Sequence, residues 1–182
     1  MRLRRITAGL VLGVLLAVGG ASAAFATPPL DTGGASVVDQ ANVLSPSDES
    51  TVQSAVDRVA ADSSTRLVVV FVDTFSDPSN NRDWAAATAR SSGLGTGDLI
   101  VAVAVKSRQF AFVPSDQYPL SQSDLQNLVN ADLKPGLAQS RWADATVSFA
   151  KALDSRLQGS GPTSTSRSGS TACARLSRCW ES

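Results

Sequence analysis

The fold class this sequence predicts is a small α/β sandwich, a mixed central sheet with helices on both faces. Three observations lead there. The stretch Asp98-Leu99-Ile100-Val101-Ala102-Val103-Ala104-Val105 is an apolar run opened by one carboxylate. It is too short for a membrane span and too β-branched for a preferred helix, so it reads as a strand buried on both sides. Leu67 to Val72 is a second run of the same kind. Between and around these runs lie stretches whose apolar residues recur at helical spacing, each opened by a Ser or Asn with an acidic residue three positions on. Strand, helix and strand in that order make a parallel crossover, and helices then cover both faces of the sheet.

The elements follow in chain order. Met1 to Ala26 has the layout of a secretory signal: Arg2, Arg4 and Arg5, an apolar middle from Ala8 to Val18, and small residues at Ala24 and Ala26 for cleavage before Thr27. Left uncleaved, the same segment would act as a membrane anchor. Residues 27–36 are rich in Pro and Gly and read as a linker. The domain proper is placed at 37–158. Ser45, Pro46 and Asp48 predict a helix start, and Val52, Ala55, Val56 and Val59 form its apolar stripe, with an end near Asp62. After the strand at Leu67–Val72, residues Asp73 to Asn81 are dominated by turn formers. Asn80 caps the next helix, whose Trp84, Ala87 and Thr88 face the sheet, and Gly93-Leu94 ends it as a glycine cap. The central strand then turns at Lys106-Ser107-Arg108 into an antiparallel partner, Gln109 to Val113. Ser121 and Asp124 open a third helix carrying Leu125, Leu128, Val129 and Leu133, which Pro135-Gly136 is expected to break. A last helix begins near Trp142. Residues 159–182 are Ser, Thr, Gly and Arg with few apolar side chains and are expected to be disordered.

The net charge of zero conceals a division. Six arginines lie in the leader and the tail, and the body between them is acidic. No basic surface with interleaved aromatics is encoded, which argues against nucleic acid as a partner. The chain contains no histidine. That removes the usual general base, the commonest zinc ligand and the Ser-His-Asp and Cys-His mechanisms. The two cysteines, Cys173 and Cys179, both fall in the tail, where they can pair in an oxidising compartment or stay free.

Val38-Asp39-Gln40-Ala41-Asn42-Val43-Leu44-Ser45 resembles the opening signature of the TPM domain family, and Gly95-Thr96-Gly97-Asp98 running into a buried strand extends the resemblance. It covers the chain from Val37 to Leu157. The family includes a thylakoid lumen protein, a photosystem repair factor, a receptor accessory subunit and many bacterial exported proteins. The resemblance implies an α/β sandwich, export from the cytoplasm, and an extracytoplasmic or membrane protein as partner. It also implies the acid phosphatase activity and calcium binding attributed to some members. The chain departs from the family in two places. Members often read Asp-Asn-Gly before the central strand, where Asp98 is followed directly by Leu99. They often read Gly-Asp before an aromatic near the last helix, where this chain has Ser140-Arg141-Trp142.

The candidate chemistry is carboxylate chemistry. Asp98 opens the central strand and Asp116 follows the end of its antiparallel partner, so the two are neighbours in a hairpin. With Ser115 and nearby carbonyls they are candidate ligands for calcium or magnesium; the bland alternative is that they cap strand ends. Asp39 and Asp73 belong at the opposite edge of the sheet, Asp39 bonding to turn amides ahead of the first helix. Asp73 fails as an aspartyl nucleophile because Phe75 stands where a second acid is needed. Gly93-Leu94-Gly95-Thr96-Gly97 precedes a strand rather than a helix, which makes it a turn and not a phosphate cradle. Ser148 and Lys151 match Ser-x-x-Lys only on the solvated side of the last helix, and Trp84 and Trp142 are expected in the core. Three readings remain: an exported, non-catalytic module acting by protein contact at the cell envelope, a weak metal-dependent phosphatase using sheet-edge carboxylates, or a purely structural domain tethered by an uncleaved leader. The oligomeric state is not encoded legibly.

Overall fold

A computed structural model of the chain describes residues 26–159. The leader apart from Ala26, and the tail from residue 160 with Cys173, Cys179 and Trp180, lie outside the described residues. The sheet is built from β2 (Val37–Asp39), β3 (Leu67–Val72), β5 (Leu99–Ala104) and β6 (Gln109–Pro114), in the spatial order β2-β3-β5-β6. The first three are parallel and β6 returns antiparallel to β5. The mixed sheet and flanking helices are those the apolar runs predict. Strand β2 is an addition: three residues are too few to display a period, and Val37 and Val38 are recognisable as a strand only from their pairing with Val69 and Val70.

Every residue of β3 and β5 is buried. Alternate side chains divide between two cores, as the pleat requires. Leu67, Val69, Phe71, Leu99, Val101 and Val103 join the larger core under α1 (Pro46–Ser63), α3 (Gln122–Leu128) and α5 (Trp142–Gly159). Val68, Val70, Val72, Ile100, Ala102 and Ala104 join the smaller core with α2 (Asn81–Ser91). The alanines of β5 fall on this second face, with Ala111 of β6, and leave room for the indole of Trp84, which is wholly buried. Trp84 lies against Phe75 of the short strand β4 (Thr74–Phe75), ring centroids 4.8 Å apart.

The caps form where Ser and Asn precede the acidic residues. Ser45 Oγ accepts from the Asp48 N–H while the Asp48 carboxylate accepts from the Ser45 N–H, a reciprocal box. Asn80 Oδ1 accepts from the N–H groups of Arg82 and Asp83. Ser121 Oγ accepts from the Asp124 N–H. Gly93 takes a φ of +62° and Leu94 N–H bonds back to the Ala89 carbonyl, which closes α2.

Two stretches differ from expectation. The Pro/Gly-rich residues ahead of β2 are laid along α2. Within them β1 (Ala26–Thr27) pairs parallel with β4, and the Thr27 carbonyl accepts from Trp84 Nε1 at 2.7 Å and from the Ser76 N–H at 3.0 Å. Further on, Leu30 N–H donates to Thr88 Oγ1 and Thr32 N–H to Ser92 Oγ. Composition suggests a spacer, but α2 carries hydroxyls that satisfy this backbone, and Leu30 covers the smaller core.

The second difference concerns Pro135-Gly136, which do not break the third helix. After α3 the chain makes one π-helical turn, Val129–Leu133, and continues as α4 (Lys134–Ala138). The Lys134 N–H bonds to the Val129 carbonyl five residues back. Pro135 then sits in the first turn of the renewed helix, where its missing N–H costs least. Gly136 is needed for a different reason: a Cβ there would lie 2.6 Å from Ala145 Cβ, so α4 and α5 meet at backbone distance.

Candidate functional site

The amino-terminal edge of the sheet holds Asp98 and Asp116, and the hairpin makes them neighbours. Ser115 N–H donates to the Asp98 carbonyl at 2.8 Å, and Gly97 N–H points to the Asp116 carbonyl at 3.4 Å. The Asp98 carboxylate is turned into its own loop. Oδ2 accepts from the Gly95 N–H at 2.7 Å and Oδ1 from the Arg66 N–H at 3.3 Å. Asp98 therefore ties the glycine turn to the start of β3. Asp116 is exposed. Beside them stand two enclosed oxygens with no bonding partner among the described residues, Ser115 Oγ and Tyr118 Oη. Burial and the negative charge of Asp98 together push the Tyr118 phenol far above the ordinary tyrosine range. Among the described residues no three Asp, Glu, His or Cys side chains gather as a metal-binding group.

The carboxyl-terminal edge is where ligands bind in open sheets of parallel strands, and its geometry is different. Asp39, at the end of β2, accepts from the Leu44 N–H through Oδ2 at 2.8 Å, the turn-amide bond expected of it. Its Oδ1 is enclosed and has no bonding partner among the described residues. Asp73, just past β3, pairs with Lys106 of the hairpin at 2.7 Å. At an exposed surface such a pair is worth about 0–1 kcal/mol, and its main effect is to fix the hairpin tip against β3.

Beyond that tip is a cleft of about 210 Å³, lined by Val103 and Phe110 of the hairpin, Leu137 of α4 and Trp142 at the start of α5. Phe110, Leu137 and Trp142 are half-buried. The charged groups in its lining are Arg108 and Lys134, both exposed and, among the described residues, outside any ion pair or side-chain hydrogen bond. The backbone around the cleft is irregular. Arg108 has a φ of +53° and Ser140, two residues before Trp142, a φ of +58°. The π turn ends at Leu133, immediately before Lys134. Non-glycine residues in the left-handed region and single π turns both concentrate at working sites.

Trp142 is thus only partly a core residue: its indole packs on the larger core and also forms one wall of the cleft. Sequence reasoning placed it in the interior and missed the cleft, because its walls come from a hairpin and from a helix junction some thirty residues away.

A family model for the TPM domain matches residues 37–156. The chain belongs to the TPM domain family. Two curated relatives, the UPF0603 proteins MT2410 and Rv2345 from two strains of Mycobacterium tuberculosis, are each 39% identical over 119 residues. The alignment takes in 65% of this chain but 18% of theirs, so the TPM domain here corresponds to a small part of those proteins. Among solved structures, the N-terminal domain of cg2496 from Corynebacterium glutamicum aligns with a TM-score of 0.60 at 25% identity, covering 76% of this chain and 88% of that domain. The N-terminal domain of a protein from P. gingivalis aligns with a TM-score of 0.62 at 19% identity, covering 70% and 85%, and speaks for the fold alone. In this TPM domain the amino-terminal edge is closed by Asp98, while the carboxyl-terminal edge presents an apolar cleft with free cations.

Proposed function

We propose that this TPM domain is an exported, non-catalytic module that works by contact with another protein at the cell envelope. The contact surface is the cleft between the β5–β6 hairpin and the α4–α5 junction. The observation that carries this reading is the half-buried apolar wall of Phe110, Leu137 and Trp142 at the carboxyl-terminal edge of the sheet. Such concave apolar sites rimmed by polar groups are typical of recognition surfaces. The leader, with its charged start and small-residue cleavage site, supports placement outside the cytoplasm. No helix of the described residues is long and apolar enough to cross a membrane.

The test is cross-linked capture from an envelope fraction with the full chain and with Trp142→Ala in parallel. Recovery of a discrete extracytoplasmic protein by the native chain, reduced by the substitution, supports the reading. Recovery that ignores the substitution moves the contact elsewhere, and recovery of nothing counts against contact altogether.

A weak metal-dependent phosphatase is the second reading. Its support is the pair of enclosed oxygens, Ser115 Oγ and Tyr118 Oη, without a bonding partner among the described residues and beside Asp98 and Asp116, an oxygen-rich setting suited to a hard cation. Calorimetric titration with calcium and magnesium tests it, together with phosphate ester hydrolysis by Asp98→Asn. Heat of binding and metal-stimulated hydrolysis, both lost in the variant, would establish it.

A further inference from the structure

The size and charge of the cleft narrow the kind of partner it fits. Pockets for small molecules commonly enclose about 300–1,000 Å³, and an engineered cavity of about 150 Å³ holds a benzene. At about 210 Å³ this cleft lies between the two and has room for one large side chain. Its walls, Val103, Phe110, Leu137 and Trp142, offer that side chain apolar contact on several sides.

The rim decides the charge of what surrounds the anchor. Arg108 and Lys134 are cations in a domain whose body is otherwise acidic. Among the described residues no carboxylate lines the cleft. The adjacent hairpin cation, Lys106, is already held by Asp73, which leaves Arg108 and Lys134 facing solvent with their charge unmatched. A positive rim on an acidic domain steers oppositely charged partners. The hairpin and π turn hold both cations in fixed backbone positions.

We infer that the cleft receives an acidic peptide segment of a partner protein, with one large apolar side chain inserted between Leu137 and Trp142 and flanking carboxylates meeting Arg108 and Lys134. This inference rests on the protein-contact reading above and specifies its chemistry.

The experiment uses the full chain and three synthetic probes: acetyl-Asp-Glu-Leu-Glu-Asp-amide, the same peptide with Gly for Leu, and acetyl-Lys-Lys-Leu-Lys-Lys-amide. Binding is followed by the Trp142 indole resonance in NMR, assigned by its loss in Trp142→Ala. The acidic leucine peptide should shift that resonance saturably. Removing the leucine, or placing Arg108→Glu and Lys134→Glu together, should each weaken binding about tenfold or more, the usual effect of deleting an anchor or a charge pair. Arg108 and Lys134 are exposed, so those substitutions leave the core intact and separate lost recognition from lost folding. The doubly reversed chain should instead prefer the lysine peptide. Equal binding of the acidic and basic peptides to the native chain would overturn the inference. So would saturation of the same resonance by octanoate at lower concentration than the peptide, which would mark a small-carboxylate site, or by self-association of the chain. If no peptide binds while envelope capture still depends on Trp142, protein contact survives and the acidic-segment chemistry falls.

Discussion

Replacing Gly136 by alanine tests the geometry that creates the cleft. A Cβ at this position would lie 2.6 Å from Ala145 Cβ and 3.0 Å from Ala145 Cα. Ordinary carbon contacts sit at about 3.5–4.0 Å. The neighbour is partly backbone, on a helix whose Ala145 is 2% exposed, so no flexible tip can swing away. Alanine gains about 1 kcal/mol over glycine in a helix interior. Overpacking of a well-filled core costs about 1–3 kcal/mol, and more where backbone must move. With backbone in the contact the upper part of that range applies, about 2–3 kcal/mol, so repulsion wins and Gly136→Ala should lose about 1–2 kcal/mol, or roughly 3–8 °C in Tm for a domain of this size. Urea denaturation followed by far-UV circular dichroism measures it. Ala145→Gly alone should cost about 1 kcal/mol through helix propensity. In combination it removes the 2.6 Å contact and leaves only the 3.0 Å approach to the Ala145 Cα, so the two changes should couple by about 1 kcal/mol in a double-mutant cycle. The same shift of α4 would move Leu137 relative to Trp142 and alter the cleft. A Gly136→Ala chain as stable as the native one, or additive effects in the cycle, would refute the close approach.

Ser140 holds a φ of +58°, and glycine adopts that region without the penalty a side chain incurs, so Ser140→Gly should raise the urea midpoint by about 0.5–1 kcal/mol of stability. Tyr118 is the single tyrosine, so phenolate absorbance reads it alone. In the folded chain it should titrate far above the value of about 10 seen for the unfolded chain. Because the folded form holds this proton more tightly, its contribution to stability is intact below that unfolded value and is lost as pH rises above it. Asp98→Ala removes the acceptor for the Gly95 and Arg66 N–H groups and should cost about 1–3 kcal/mol by urea denaturation. A loss that appears only when calcium is present would instead identify Asp98 as a metal ligand.

The parts of this fold that could be read from the sequence are those whose cause is local. Leu67–Val72 and Leu99–Ala104 declare themselves because burial on both faces leaves no polar position. The helix starts at Ser45, Asn80 and Ser121 declare themselves because a cap and its acidic partner are three residues apart. What could not be read depends on distant partners. Val37–Asp39 is a strand because β3 offers it an edge. The stretch ahead of it looks like a spacer until Thr88, Ser92 and Trp84 supply its hydrogen bonds. Pro135-Gly136 looks like a stop because the π turn that accommodates Pro135 leaves no mark in the period of apolar residues. The candidate site divides in the same way. Pairing Asp98 with Asp116 needs only a hairpin, whereas the cleft needs Arg108 and Trp142 brought together across the fold.

The two ends of the sheet are built on opposite terms. At the amino-terminal end, Asp98 meets backbone amides on both sides of its loop, so its charge is used internally and adds rigidity. At the carboxyl-terminal end, Asp73 plays that part for Lys106, and among the described residues no carboxylate pairs with Arg108 or Lys134. Exposed cations that only solubilise a surface need no fixed position. Here they stand on a hairpin with a left-handed residue and on a helix restarted by a π turn, and Trp142, two residues after a second left-handed residue, lines the same cleft. A strained backbone persists when the surrounding packing enforces it, and the contact of Gly136 with Ala145 is packing of that kind. The arrangement places apolar surface and positive charge side by side in one cleft, which is what recognition of an acidic, apolar-anchored segment requires.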